Sequence, residues 1–255
     1  MTMRHLLRIF PLLLLTTAMQ AMDVPEAQQM VSRAQQAYAD GDHEKALELF
    51  DSVNTVYTSA GLLYNIGNCH FKSQNIPRAI LYYERALKLR PGAEDVQANL
   101  ELARQMIADR VNEMPGRSIG TIILGALGGE KADHPAWVAV IAWCLTLLLA
   151  AWALLLRRTN MKRVLFAVAG ISLIITIAAI GMAAVRKNSI LDRSDAIIMA
   201  PRIDVKSEPR TAGTTLLVLH KGTKVGILQS LEDWHEVVLG NGAVGWIPAG
   251  TFERI

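Results

Sequence analysis

Cys69 and His70 are the one place where a thiol and an imidazole stand next to each other in this chain. A cysteine nucleophile needs a histidine base within reach of its sulfur. The flanking pattern is helical, however, and adjacent residues of a helix point to different faces. The doublet therefore does not make a catalytic dyad. Cys144 falls inside an apolar run, so neither a second nucleophile nor a Cys69–Cys144 disulfide is expected. His5, His43, His134, His220 and His235 are scattered, and no two of them have zinc-ligand spacing. Residues 125–131, Gly-Ala-Leu-Gly-Gly-Glu-Lys, are rich in glycine but lack the Gly-Lys-Ser/Thr ending of a phosphate loop. No catalytic residue, metal site or cofactor is expected, and the chain reads as a non-enzyme.

What must be positioned is instead a set of binding surfaces, and composition says where they lie. Hydrophobic residues make up 51% of the 255, high for one soluble domain. Residues 136–156 and 164–185 are uncharged runs of 21 and 22 residues. At about 1.5 Å per residue, each covers a hydrocarbon core roughly 30 Å thick. Between them, residues 157–163 carry Arg157, Arg158, Lys162 and Arg163 and no acid, the mark of a cytoplasmic turn. Both ends of this transmembrane hairpin then face outward. Residues 1–21 read as a signal peptide, with Arg4 and Arg8 ahead of a short apolar stretch and Ala18 and Ala21 as cleavage candidates. It sends the N-terminal region to the same outer side. The net charge is only +3, without a basic stripe interleaved with aromatics, so nucleic acid is not an expected partner.

From 26 to 111 the pattern is helical and it repeats. Gly41-Asp42, Lys45-Ala46 and Phe50 recur as Gln74-Asn75, Arg78-Ala79 and Tyr83, 33 residues later. The second copy carries Leu63, Ile66-Gly67, His70, Ala79, Tyr83, Ala86 and Pro91 in order. Gly67 and Ala79 are small where two helices of a repeat cross, and Pro91 stops the second helix. Residues 94–107 carry Val96, Leu100, Ala103 and Ile107 at helical spacing and read as a capping helix. The segment resembles the tetratricopeptide repeat (TPR) proteins. That resemblance implies a concave face for protein or peptide partners, lined by Tyr64, Asn68, Phe71 and Lys72 of repeat two and Gln35 and Tyr38 of repeat one. Residues 112–135 are left as a juxtamembrane linker.

After a polar linker at 186–194, the period changes from 3.6 to 2. Six strands are expected, at 196–199, 204–206, 216–219, 223–231, 235–239 and 243–247, with Gly240-Asn241-Gly242 as a hairpin turn. So many short strands imply a small barrel. Val205 to Pro209, Leu219 to Val225, Trp234 and Gly245-Trp246-Ile247-Pro248 make residues 195–255 resemble a bacterial SH3 domain. The resemblance implies a groove at Trp234 and Trp246 for peptide or peptidoglycan. The expected fold class is thus a multi-domain membrane protein with an all-α TPR module, a two-helix transmembrane hairpin and an all-β SH3-like barrel.

The order of parts resembles the BatE family of the Bat aerotolerance operons. It implies a scaffold in the inner membrane with both soluble modules periplasmic, and other Bat-type membrane proteins among its partners. The alternative is a hydrolase accessory or peptidoglycan-binding protein of the cell wall that uses the SH3-like domain.

Overall fold

A computed structural model describes residues 23–109, 134–156, 158–192 and 194–255. The expected signal peptide and nearly all of the expected juxtamembrane linker lie outside the described residues.

Five helices form the N-terminal module: α1 (Val24–Ala39), α2 (His43–Asn54), α3 (Ala60–Lys72), α4 (Ile76–Leu89) and α5 (Glu94–Arg104). Local chemistry sets several of their ends. Proline opens α1 and α4, where its missing N–H costs nothing. The Asp42 side chain accepts from the Lys45 amide at 3.0 Å, and the Ser59 hydroxyl from the Leu62 amide at 3.2 Å. Gly41 takes φ +85°, the left-handed turn between α1 and α2 that a side chain would resist. One core joins Ala34, Ala46, Phe50, Ile66 and Cys69, and another joins Leu63, Ala79, Tyr83, Ala86, Val96 and Leu100. The expected small and aromatic repeat positions are the ones buried.

Two further helices, α6 (His134–Leu155) and α7 (Thr159–Leu191), contain stretches long and apolar enough to cross a membrane, at 136–155 and 159–185. They pack on each other through small side chains, and the Ser172 hydroxyl donates to the Ala142 carbonyl at 2.9 Å. α7 takes in residues 159–163, expected as part of the turn, and 186–191, expected as linker.

The remaining residues form seven strands: β1 (Asp195–Ile198), β2 (Arg202–Lys206), β3 (Thr215–His220), β4 (Lys224–Leu231), β5 (Trp234–Leu239), β6 (Val244–Pro248) and β7 (Phe252–Arg254). The first six match the expected strands within one or two residues, and β7 is additional. They make one antiparallel sheet in the order β3-β2-β6-β5-β4-β1-β7. This corrects the expected barrel, because the sheet does not close. Its end strands are β3 and β7, and on β7 the Arg254 carbonyl accepts from Arg85 of α4 at 2.6 Å instead of from another strand.

β1 explains how sheet and helices meet. Alternation sends Ala196 and Ile198 into the sheet's own core, while Ile197 enters the core around α4 with Ile255. Polar contacts surround this seam. Glu84 of α4, 8% exposed, accepts from Arg104 of α5 at 2.6 Å and from Lys224 of β4 at 3.1 Å, and Lys224 also pairs with Asp195 at 3.1 Å. Burial alone would lower the Lys224 pKa, yet the Glu84 and Asp195 carboxylates outweigh it and raise it. Just beyond α5, Asp109 accepts from the His220 amide at 2.6 Å and from the Thr223 hydroxyl at 2.7 Å, and its other oxygen lies 2.8 Å from His220 Nδ1.

Desolvation works to raise the Asp109 pKa, but these hydrogen bonds outweigh it and hold the carboxyl below its ordinary 3.8. A depressed folded value contributes stability above pH 3.8 and loses it as pH falls through the lowered value. Asp109→Asn should therefore cost about 1–2 kcal/mol at neutral pH, allowing for partial exposure. The gap from wild type should close on acidification below about pH 4. Denaturant unfolding across pH would show a constant gap if Asp109 were not clasped.

Candidate functional site

The residues expected to line a partner surface come from α1 and α3, and the structure puts two of them, Tyr64 and Asn68, in one network. The Tyr83 hydroxyl, fully buried on α4, donates to Asn68 Oδ1 at 2.8 Å. Asn99 of α5 donates from Nδ2 to the same oxygen at 3.0 Å and to the Tyr64 hydroxyl at 2.9 Å. Tyr64 and Tyr83 also stack at a ring separation of 6.0 Å. Asn68 thus has its oxygen turned inward on two donors, and its amide N–H groups meet no protein acceptor among the described residues. The Tyr64 oxygen accepts one bond and keeps its own proton to donate. Phe71 and Tyr64 pack partly into the α4 core and Tyr38 into the α1–α2 core, each leaving one edge exposed. Gln35 and Lys72 are exposed.

Asn99 is the member that sequence reasoning missed. A signal for it existed. Val96, Leu100 and Ala103 stand 34 residues after Leu62, Ile66 and Cys69, which makes α5 a repeat of α3 with Asn99 in the place of Asn65. The apolar spacing of α5 marks it as a cap, and that pattern says nothing of the polar residues between Val96 and Leu100.

Gly67 makes the network possible. A Cβ there would sit 2.6 Å from Cε1 of Tyr83 and 2.7 Å from Cδ1, deep inside van der Waals contact. The absent side chain lets α3 and α4 approach closely enough for Tyr83 to reach Asn68.

The Cys69–His70 doublet has the electrostatics of core residues. Cys69 is fully buried, and burial, helped by the Asp51 carboxylate, pushes its thiol up to about 11. Burial and the Arg78 guanidinium bring His70 down to about 4. A nucleophilic pair needs a lowered thiol beside a charged or basic imidazole, and both shifts run the other way. His70 stacks with Tyr82 at 5.4 Å. Among the described residues, no group of three or more His, Cys, Asp or Glu side chains is placed to hold a metal.

On the sheet, Trp234 pairs with Pro248 and Trp246 with Glu236. These are alternate pairs, with His235–Ile247 between them, and alternate pairs share a face, so the two half-buried indoles are diagonal neighbours whose Cβ atoms lie somewhat under about 7–8 Å apart. This face lies opposite the core that holds Val237 and Ile247.

Comparison with known families adds a decisive observation for the helical part. Residues 60–92 match the tetratricopeptide repeat. The match spans α3 and α4, the two helices joined by Gly67 and Tyr83, and repeats of this kind are generally protein-interaction scaffolds without catalytic residues. Neither the curated proteins nor the solved structures give a match.

Gly67→Leu should disorganise this site by forcing Tyr83 away from Asn68. Overpacking of such a contact costs about 1–3 kcal/mol or more. Thermal unfolding of the purified protein should show a lowered midpoint. An unchanged midpoint would mean that α3 and α4 do not meet at Gly67.

Proposed function

We propose that this chain is a non-enzymatic scaffold anchored in the inner membrane. Its helical module and sheet stand on the periplasmic side and bind protein or peptide partners. The partner surface is the α1–α3–α5 face, with Gln35, Tyr38, Tyr64, Asn68, Phe71 and Lys72. The observation that carries this reading is the pair of unspent donors, the Asn68 amide and the Tyr64 hydroxyl, held in fixed orientation by Asn99 and Tyr83. Pre-oriented donors beside aromatic edges suit the carbonyl groups of an extended peptide, because their ordering cost is already met by the fold.

Membrane anchoring is supported by the two apolar helices. Four basic residues between the apolar runs support a cytoplasmic turn and hence outward-facing modules. The resemblance of the whole arrangement to the BatE family supports a place in a Bat-type envelope assembly, whose membrane proteins are the partners to test first.

A second reading rests on the sheet. Trp234 and Trp246, side by side on one face, offer the apolar platform that a peptidoglycan strand or a peptide would use in an SH3-like domain.

Two experiments test the scaffold. Tyr64→Phe with Asn68→Ala removes both donors, and partner co-purification from detergent should fall at least tenfold, about 1.4 kcal/mol, in a chain that still unfolds cooperatively although the Tyr83 hydroxyl loses its acceptor. Cys69→Ser should leave co-purification unchanged. A cell-wall-degrading activity that disappears with the folded serine variant would sink the scaffold and favour a hydrolase. For topology, Asn160→Cys and Asn241→Cys are compared in a background where both native cysteines are serine. A membrane-impermeant thiol reagent on intact cells with a permeabilised outer membrane should label Asn241→Cys and spare Asn160→Cys. The reverse pattern overturns the orientation.

A further inference from the structure

The second membrane-length helix does not stop where its apolar run stops. α7 stays helical to Leu191, so the residues after Val185 leave the run as a continuous rod. At about 1.5 Å per residue, Ile190 lies roughly 7–8 Å beyond Val185. A bilayer about 40–45 Å thick around a core of about 30 Å leaves a headgroup layer roughly 5–8 Å deep on each side. On the membrane reading proposed above, whatever packs beside Ile190 is level with lipid headgroups.

What packs there is a cleft of about 520 Å³. Thr58 at the α2–α3 junction, Arg85 and Lys88 of α4, Glu253 and Arg254 of β7, and Ile190 itself contribute to its walls. Three basic side chains thus line it against one carboxylate. Arg85 uses Nη2 on Glu253 at 3.1 Å and on the Arg254 carbonyl at 2.6 Å. Lys88 donates to two backbone oxygens, of Asp192 and, at 3.2 Å, of Ile255. A guanidinium has five N–H groups and an ammonium three, so both retain donors. Burial also holds the Lys88 pKa below the ordinary lysine value, in spite of the Asp195, Asp192 and Glu84 carboxylates and with the Lys224 cation adding to it. Lys187, exposed on α7, stands three residues before Ile190 and shares its side of the helix.

We infer that this cleft holds the phosphate headgroup of an anionic phospholipid of the outer leaflet, with Arg85 and Lys88 donating to its oxygens and the acyl chains descending along α7 past Ile190. Arginine supplies a planar fork and lysine a point charge, the usual pair for phosphate. A zwitterionic headgroup brings its own cation and is disfavoured among three basic side chains.

The test uses the full chain in non-ionic detergent, titrated with phosphatidylglycerol, phosphatidylcholine or inorganic phosphate and read by native mass spectrometry. One phosphatidylglycerol should be retained well after phosphatidylcholine is lost, and excess inorganic phosphate should not displace it. Lys88→Gln should weaken retention about fivefold, the equivalent of one basic group near an anionic surface. Because Lys88 also ties backbone segments together, Thr58→Glu serves as a second variant. It sets a carboxylate at the cleft mouth, leaves those ties alone, and should weaken retention as much. Equal retention of the two lipids, or no effect of either variant, overturns the site. Displacement by inorganic phosphate overturns the lipid as its ligand. If the wild-type chain fractionates away from membranes, the membrane reading falls and this inference with it. If it stays with membranes but shows no lipid preference, only the cleft is wrong.

Discussion

Glu84 is a carboxylate in the middle of the second helix of a repeat, and almost no water reaches it. Such a charge is tolerated only when it is paired and its lone pairs are met. One oxygen takes Arg104 and the other takes Lys224, while Lys224 is shared with Asp195. Arg104 belongs to the last helix of the module, and Lys224 and Asp195 belong to neighbouring strands of the sheet. The requirement to satisfy one buried acid therefore holds α4, α5, β1 and β4 in a single arrangement. Removing Glu84 would leave two cations facing each other across the seam. The apolar contacts of Ile197 and Ile255 then have a fixed frame in which to form.

That frame decides which surfaces remain for partners. A solenoid of helical repeats must cover the open face of its last unit. Here the sheet shares that task with α5, bringing Ile197 and Ile255 onto α4, while Asp109 secures the chain after α5 to β3. With α4 committed to the sheet, the polar row carried by α1, α3 and α5 keeps the Asn68 amide and the Tyr64 hydroxyl as donors for a partner, separate from those that Arg85 and Lys88 keep in the cleft. The same helix reaches a third element, because Lys88 meets the backbone at the end of α7. Module, sheet and the end of the second apolar helix thus converge on α4.

Much of this was legible in sequence where a local rule applied. The Gly67, Ala79, Tyr83 and Ala86 pattern marks positions whose size is set by helix crossing, and each is buried. Six strands were visible because alternation and turn residues are local signals. The seventh, Phe252–Arg254, is too short to alternate and follows a glycine turn at the edge of the pattern. The continuation of α7 past Val185 was hidden because Arg186, Lys187 and Asn188 read as a polar linker, although all are compatible with a helix. The seam between helices and sheet left no sequence signal. Glu84 and Lys224 are 140 residues apart, and each alone reads as a solvated charge. Open sheet and barrel also share the same strand pattern, and what distinguishes them is whether the end strands β3 and β7 pair, a long-range contact that alternation does not encode.

The continuity of α7 changes what anchoring would mean for the proposed scaffold. A flexible linker at 186–194 would let the soluble part swing, and a bound partner would sample many orientations relative to the bilayer. A helix that leaves the apolar run unbroken, ends on the Asp192–Ser194 turn and is met there by Lys88 allows much less freedom. On the membrane reading, the α1–α3–α5 face then keeps a set direction and height above the surface. Tethering raises the effective concentration of a bound partner most when the reach of the tether matches the distance to be spanned. A stiff, short connection therefore favours partners whose own binding segment lies close to the membrane, and disfavours those that must be gathered from solution at any angle. For a scaffold with no chemistry of its own, that geometric restriction is the selectivity that the fold can supply.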